Sequence, residues 1–158
     1  MVEIRRERLT AEVDGEFCLF LIGMRINRWW KVHRWWPVAS AMPRMLGELY
    51  KHRELGFLGA EMWFGNPTIA VQYWKSFDLL ERYAKATDRL HRPAWHAFNQ
   101  IARSGDVGVW HETYVIPAGA YECIYSSMPP FGLGKVSRLV PVTGRHESAA
   151  SRLRQQSG

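Results

Sequence analysis

Cysteine is scarce in this chain: Cys18 and Cys123 are the two in 158 residues. Two cysteines make no disulfide framework. Each sits in an apolar, strand-like segment, where a free thiol behaves as a small hydrophobe. A reducing, cytoplasmic setting fits that usage. No apolar run reaches the ~18 residues of a membrane span, so no membrane partner is expected. Nor does a charged start lead into an apolar stretch and a cleavage site, so no secretory signal is expected. Metal-ligand spacing is missing, because His91 and His96 are five residues apart and cannot share a helical face. Gly-x-Gly-x-x-Gly is absent, which excludes a bound dinucleotide or flavin fold. Gly132-Leu133-Gly134-Lys135 lacks the glycine spacing and following Ser/Thr of a phosphate loop. No Ser or Cys has a nucleophile's setting, and there is no internal repeat.

What the chain has in surplus is aromatic surface. It carries 8 Trp, 6 Tyr and 7 Phe, more than an ordinary core of this length needs. These rings must fill a core, an interface or a ligand pocket. The net charge of +6 is spread over 21 Lys and Arg, clustered only at Arg5-Arg6-Arg8 and in the tail. No zinc knuckle, aromatic RNA-binding signature or helix-turn-helix accompanies them, so the chain reads as a basic protein without a nucleic-acid partner.

Taken in order, residues 1–15 form a charged arm with a weakly alternating, strand-like pattern. Residues 17–24 are apolar on both sides of the pleat, the mark of a central strand. A helix is expected over 37–52, with Pro37 in its first turn and Pro43 as a kink. Residues 57–64 and 68–74 alternate about Gly65-Asn66-Pro67 as a hairpin. Ser76 caps a second helix, which bends at Pro93 and carries Trp95, Phe98 and Ile101 inward. Residues 107–115 are the fourth strand and 120–125 a further extended piece. The chain divides into an arm (1–15), a domain (16–127), and a C-terminal loop and tail (128–158), polar and frayed from about 143. The order β-α-β-β-α-β predicts an α+β, ferredoxin-like fold: an antiparallel sheet with two helices on one face. Strands apolar on both faces predict that the other face is covered across a homodimer.

Chemistry centres on His91 to Asn99 and on Trp110-His111-Glu112. If the second helix continues, His91 lies on its inward face and can ligate haem iron. The other reading is a cap on open backbone carbonyls at the Pro93 bend. His111 and Glu112 are adjacent on a strand and point to opposite faces, so only one can enter a pocket. That residue needs a partner, and Arg25, Glu61 and Gln72 stand on neighbouring strands. A structural pair of Arg25 with Glu61 or Glu112 is the competing reading. Trp30, Tyr73, Trp74, Trp95 and Tyr114 are the expected walls of a dry substrate pocket.

Several motifs together resemble one known family. They are Phe20-Leu21-Ile22-Gly23-Met24-Arg25-Ile26-Asn27, Trp30-Lys31-Val32-His33, Met42-Pro43-Arg44-Met45, Gln72-Tyr73-Trp74-Lys75-Ser76-Phe77, His91-Arg92-Pro93-Ala94-Trp95, Gly108-Val109-Trp110-His111-Glu112-Thr113-Tyr114 and Met128-Pro129-Pro130-Phe131-Gly132-Leu133-Gly134. The family is bacterial and fungal. It was long classed as a domain of unknown function, was later described as monooxygenase-like, and is placed among dimeric α/β-barrel proteins. The resemblance implies a homodimer of ferredoxin-like subunits with a pocket between sheet and helices. The wider superfamily contains cofactor-free quinone-forming monooxygenases, haem-degrading monooxygenases, aldoxime dehydratases and chlorite-splitting enzymes, so it leaves the reaction open. Two functions are carried forward. One is an oxidoreductase, haem-dependent through His91 or cofactor-free, with His111, Glu112 and Arg25 as catalytic candidates. The other is a non-catalytic homodimer that binds haem or a hydrophobic ligand.

Overall fold

The structure is a computed structural model that describes residues 4–86, 88, 96, 98–101, 103–144 and 147–155. Its centre is β2 (Phe17–Ile26), preceded by β1 (Arg5–Glu12). β2 pairs antiparallel with β4 (Ile69–Trp74) on one side and β5 (Val107–Ile116) on the other, and β3 (Phe57–Trp63) lies outside β4. The four-stranded order is β3-β4-β2-β5. With α1 (Val32–Lys51) after β2 and α2 (Phe77–Lys85) after β4, this is the expected ferredoxin-like arrangement.

Local chemistry explains the elements. Ser76 accepts a hydrogen bond from the Leu79 N–H at 3.3 Å and caps α2, whose first turn holds Asp78 and whose last holds Arg82 and Lys85. α1 starts five residues before the expected Pro37 and contains both Pro37 and Pro43. Those prolines remove the bonds to the His33 and Ala39 carbonyls. The helix persists because Ala41, Met45 and Leu49 are buried beneath it, and tertiary packing outweighs propensity. The core between sheet and helices is built on Cys18, Leu49, Phe57, Trp74, Leu80 and Tyr83.

The second face of the sheet is not left wholly for a partner. β1 is the middle strand of a second sheet, between β6 (Tyr125–Met128) and β7 (Arg138–Pro141). That sheet and a one-turn helix at Leu133–Val136 pack on Phe17, Tyr73 and Ile116 of the first. The arm and the C-terminal segment, read separately in the sequence, are thus joined. Nor are the described residues after 143 merely frayed: Ala149–Gln155 is helical, and buried Arg152 pairs with Glu122. The extended piece expected at 120–125 becomes strand only at Tyr125. Before it, Thr10 Oγ1 donates to the Cys123 carbonyl at 2.8 Å. Among the described residues no helix is long and apolar enough to cross a membrane.

Two features fix the end of β2. The Asn66 side chain accepts from the Ile26 N–H at 2.8 Å and donates to its carbonyl at 3.1 Å, which pins the β3–β4 turn. Beside it, Gly23 lets the Thr68 carbonyl approach: a Cβ at this position would stand 1.9 Å from that oxygen and 2.7 Å from Trp110 Nε1. The second feature is Asp106, fully buried, which takes Arg28 at 2.7 Å and Lys31 at 3.0 Å and so ties the start of α1 to the start of β5. Burial pushes its carboxyl up, but hydrogen bonds from Lys31, Ser104 and Arg28 prevail and hold it below its ordinary value of 3.8.

Gly23→Ala should therefore lower the stability measured by urea unfolding by roughly 2 kcal/mol or more, since the clash is with backbone. For Asp106, a depressed folded-state pKa means stability that is present above the unfolded value and lost as pH falls through the folded one. The stability gap between the wild type and Asp106→Asn should be constant above about pH 5 and shrink below about pH 4. Urea midpoints across that range measure it.

Candidate active site

Alternation along the strands sorts the candidates. On β2, Cys18, Phe20, Ile22 and Met24 face the helices. Register places Gln72 and Thr113 on either side of Phe20, and His111 beside Ile22. Between this face and the helices lie two adjoining cavities. One, of about 120 Å³, is lined by Ile22, Met24, Val38, Met42, Met45 and Phe98 among others. The other, of about 340 Å³, is bordered by Phe20, Gln72, Trp74, Tyr83, His111 and Thr113 among others. Both touch Ile22, Met42 and Met45, so flexible methionines of α1 stand at the partition.

The polar groups of the larger cavity are few. The His111 ring lies 5.7 Å from the Phe20 ring at 44°, exposed where the cavity opens. Gln72 is buried and accepts a 3.0 Å hydrogen bond from Trp74 Nε1. Tyr83 donates its hydroxyl to Glu48 Oε2 at 2.9 Å. Glu81 and Lys85 pair with each other at 2.8 Å. No group of three or more His, Cys, Asp or Glu among the described residues is placed to hold a metal.

Of the residues singled out in the sequence, the structure brings His111, Trp74 and Gln72 to this cavity. Glu112 and Tyr114 lie on the opposite face, where the Tyr114 hydroxyl donates to Glu112 Oε2 at 2.6 Å; that bond raises the phenol's pKa. Tyr73 is also on that face, packed beneath the second sheet, its phenol pushed up by burial and then by Glu61 and Cys123. Neither expected pair of Arg25 forms. Its Nε donates to Asn27 Oδ1 at 3.1 Å, while Glu61 binds Lys135 at 3.2 Å. Trp30 is 75% exposed in the turn before α1 and lines neither cavity. His91 and Trp95 lie outside the described residues. Sequence reasoning missed Phe20, Met42, Met45 and Thr113. The signal that could have found Met42 and Met45 is their place on one face of the helical pattern over 37–52.

Comparison with known proteins agrees with this architecture. The family description "Monooxygenase af470-like" matches residues 17–133, and the chain belongs to that family. One curated relative is "Monooxygenase af470" of Aspergillus fumigatus, 25% identical over 156 residues; the match covers 85% of this chain but only 56% of that protein, so the chain spans little more than half its length. Among solved structures, the aldoxime dehydratase OxdRE, in complex with butyraldoxime, superposes with a TM-score of 0.68 at 16% identity, covering 83% of this chain and 40% of that one. That likeness is one of fold. SnoaB, a cofactor-independent oxygenase from Streptomyces nogalater, gives a TM-score of 0.46 at 12% identity, covering 63% of this chain and 91% of its own.

If the cavities are the binding site, filling them should block an apolar probe. Met42→Trp should weaken binding of 1-anilinonaphthalene-8-sulfonate about tenfold in a fluorescence titration. Glu112→Gln, on the other face, should leave it unchanged within about twofold.

Proposed function

We propose that the chain is an oxygenase-type oxidoreductase whose substrate, a small apolar or aromatic molecule, lies in the sheet–helix cavity with His111 as proton acceptor. The observation that carries this reading is the composition of the cavity wall. Its surfaces are mostly apolar, Glu81 and Lys85 neutralise each other, Gln72 and Tyr83 are hydrogen-bonded to Trp74 and Glu48, and His111 stands exposed against Phe20. Membership of a monooxygenase-like family points the same way.

The chemistry closes without an external reductant. His111 takes a proton from a CH2 group activated by a neighbouring carbonyl or phenol. The resulting carbanion reduces dioxygen. Overall, CH2 plus O2 becomes C=O plus H2O: the carbon is oxidised by four electrons, one oxygen atom enters the product and the other leaves as water with both protons. Apolar walls hold the body of the substrate out of bulk water, with the reacting carbon at the opening beside His111.

Haem is the one cofactor that the wider superfamily offers as an alternative to cofactor-free chemistry. His91, the expected iron ligand, lies outside the described residues; in the described cavity His111 is the imidazole that could hold haem, among apolar residues such as Phe20, Ile22 and Met45. Bound there, haem would supply oxygen activation, and His111 and the apolar walls would hold it. We further propose a cytoplasmic homodimer. The free thiols Cys18 and Cys123 support the compartment. Trp63 and Tyr114, 44% and 46% exposed on the sheet face opposite the cavity, support the pairing.

Oxygen uptake with anthrone, a tricyclic ketone with an activated CH2, tests the reaction. Colourless wild type should consume oxygen, and His111→Ala should slow uptake about 100-fold or more. An unchanged rate in the variant would remove His111 from the mechanism. A Soret band after haem loading that is lost in His111→Ala would instead assign the imidazole to haem.

A further inference from the structure

Gln72 is a buried polar group of which the fold uses only one end. It sits on the middle of β4, 4% exposed, in a row with apolar neighbours. Its Oε1 is occupied by Trp74 Nε1 at 3.0 Å, and this also settles which way the carboxamide points, since an indole N–H can only donate. The two Nε2 hydrogens are therefore turned away from Trp74. Among the described residues they find one acceptor, the Met42 thioether at 3.7 Å. A thioether is a weak acceptor, and a carboxamide carries two donors. A buried donor left short of partners costs desolvation free energy that a ligand oxygen would restore.

The surroundings say what kind of ligand. Gln72 and Thr113 flank Phe20 on adjacent strands, so the donor and the His111–Thr113 side of the cavity are separated by roughly two strand spacings, about 10 Å. Phe20 forms an aromatic floor between them. We infer that Gln72 is the ligand-recognition donor of this cavity, and that its ligand is an apolar, ring-bearing molecule with a carbonyl oxygen that accepts from Gln72 Nε2 while its far end reaches His111. The inference deepens the oxygenase reading, since the carbonyl that Gln72 would hold is the group that acidifies the substrate's CH2.

The probes are 1-tetralone and tetralin, which share a bicyclic frame and differ in one carbonyl oxygen. Binding to the full chain is followed by tryptophan fluorescence, and folding by thermal unfolding. Wild type should prefer 1-tetralone about tenfold, and Gln72→Leu should abolish that preference by weakening the ketone and not the hydrocarbon. Because Gln72→Leu strands the Trp74 indole N–H, the double variant Gln72→Leu/Trp74→Phe removes both partners and should show the same lost preference in a folded protein. Equal binding of the two probes by wild type, a preference that survives in both variants, or no binding of either probe would overturn the inference. The functional reading stands or falls separately: oxygen uptake with anthrone that still depends on His111 would keep it even if the tetralone preference proves independent of Gln72.

Discussion

The structure depends on a strand that must be covered on both sides. β2 carries Phe17, Cys18, Leu19, Phe20, Leu21 and Ile22 in succession, so both faces of the sheet need cover along this strand. On one side α1 and α2 close over it. On the other, the chain's own second sheet covers Phe17, Tyr73 and Ile116. The space that remains lies on the helical side, between the sheet and α1 and α2. That space is the candidate site.

The same constraint decides which residues have access to chemistry. Once β2 is central, register with β4 and β5 assigns every side chain on them to the cavity or to the opposite face. His111 and Glu112 are adjacent in sequence, yet the thickness of the sheet separates their side chains. Trp74 enters the core beside the cavity, and Tyr73 is turned beneath the second sheet. At the far end, Asp106 anchors Arg28 and Lys31 and with them the beginning of α1. This holds Trp29, Trp30 and Trp36 outward, all more than half exposed, while Met42 and Met45 lie over the sheet.

Much of this was legible in the sequence. The element order, the hairpin about Gly65-Asn66-Pro67, the Ser76 cap and the opposition of His111 to Glu112 all follow from period and local chemistry. Which side of a strand faces the helices did not follow, because alternation carries no information in a strand that is apolar on both faces. That is why Tyr73 and Tyr114 were grouped with Trp74. The second sheet was not legible for a different reason: β6 and β7 have four residues each and are held by pairing with a strand more than a hundred positions away. Arg25 and Glu61 looked like a buried pair because both lie on sheet strands, yet each found a nearer partner in Asn27 and Lys135.

The central claim is that this cavity brings an apolar substrate and dioxygen together beside His111. Incubation with anthrone under ¹⁸O₂, with mass analysis of the quinone formed, tests it most directly. The account predicts one ¹⁸O atom in the new carbonyl, at a rate that collapses in His111→Ala. Quinone formed without label, or labelled product formed equally well by the variant, would contradict it.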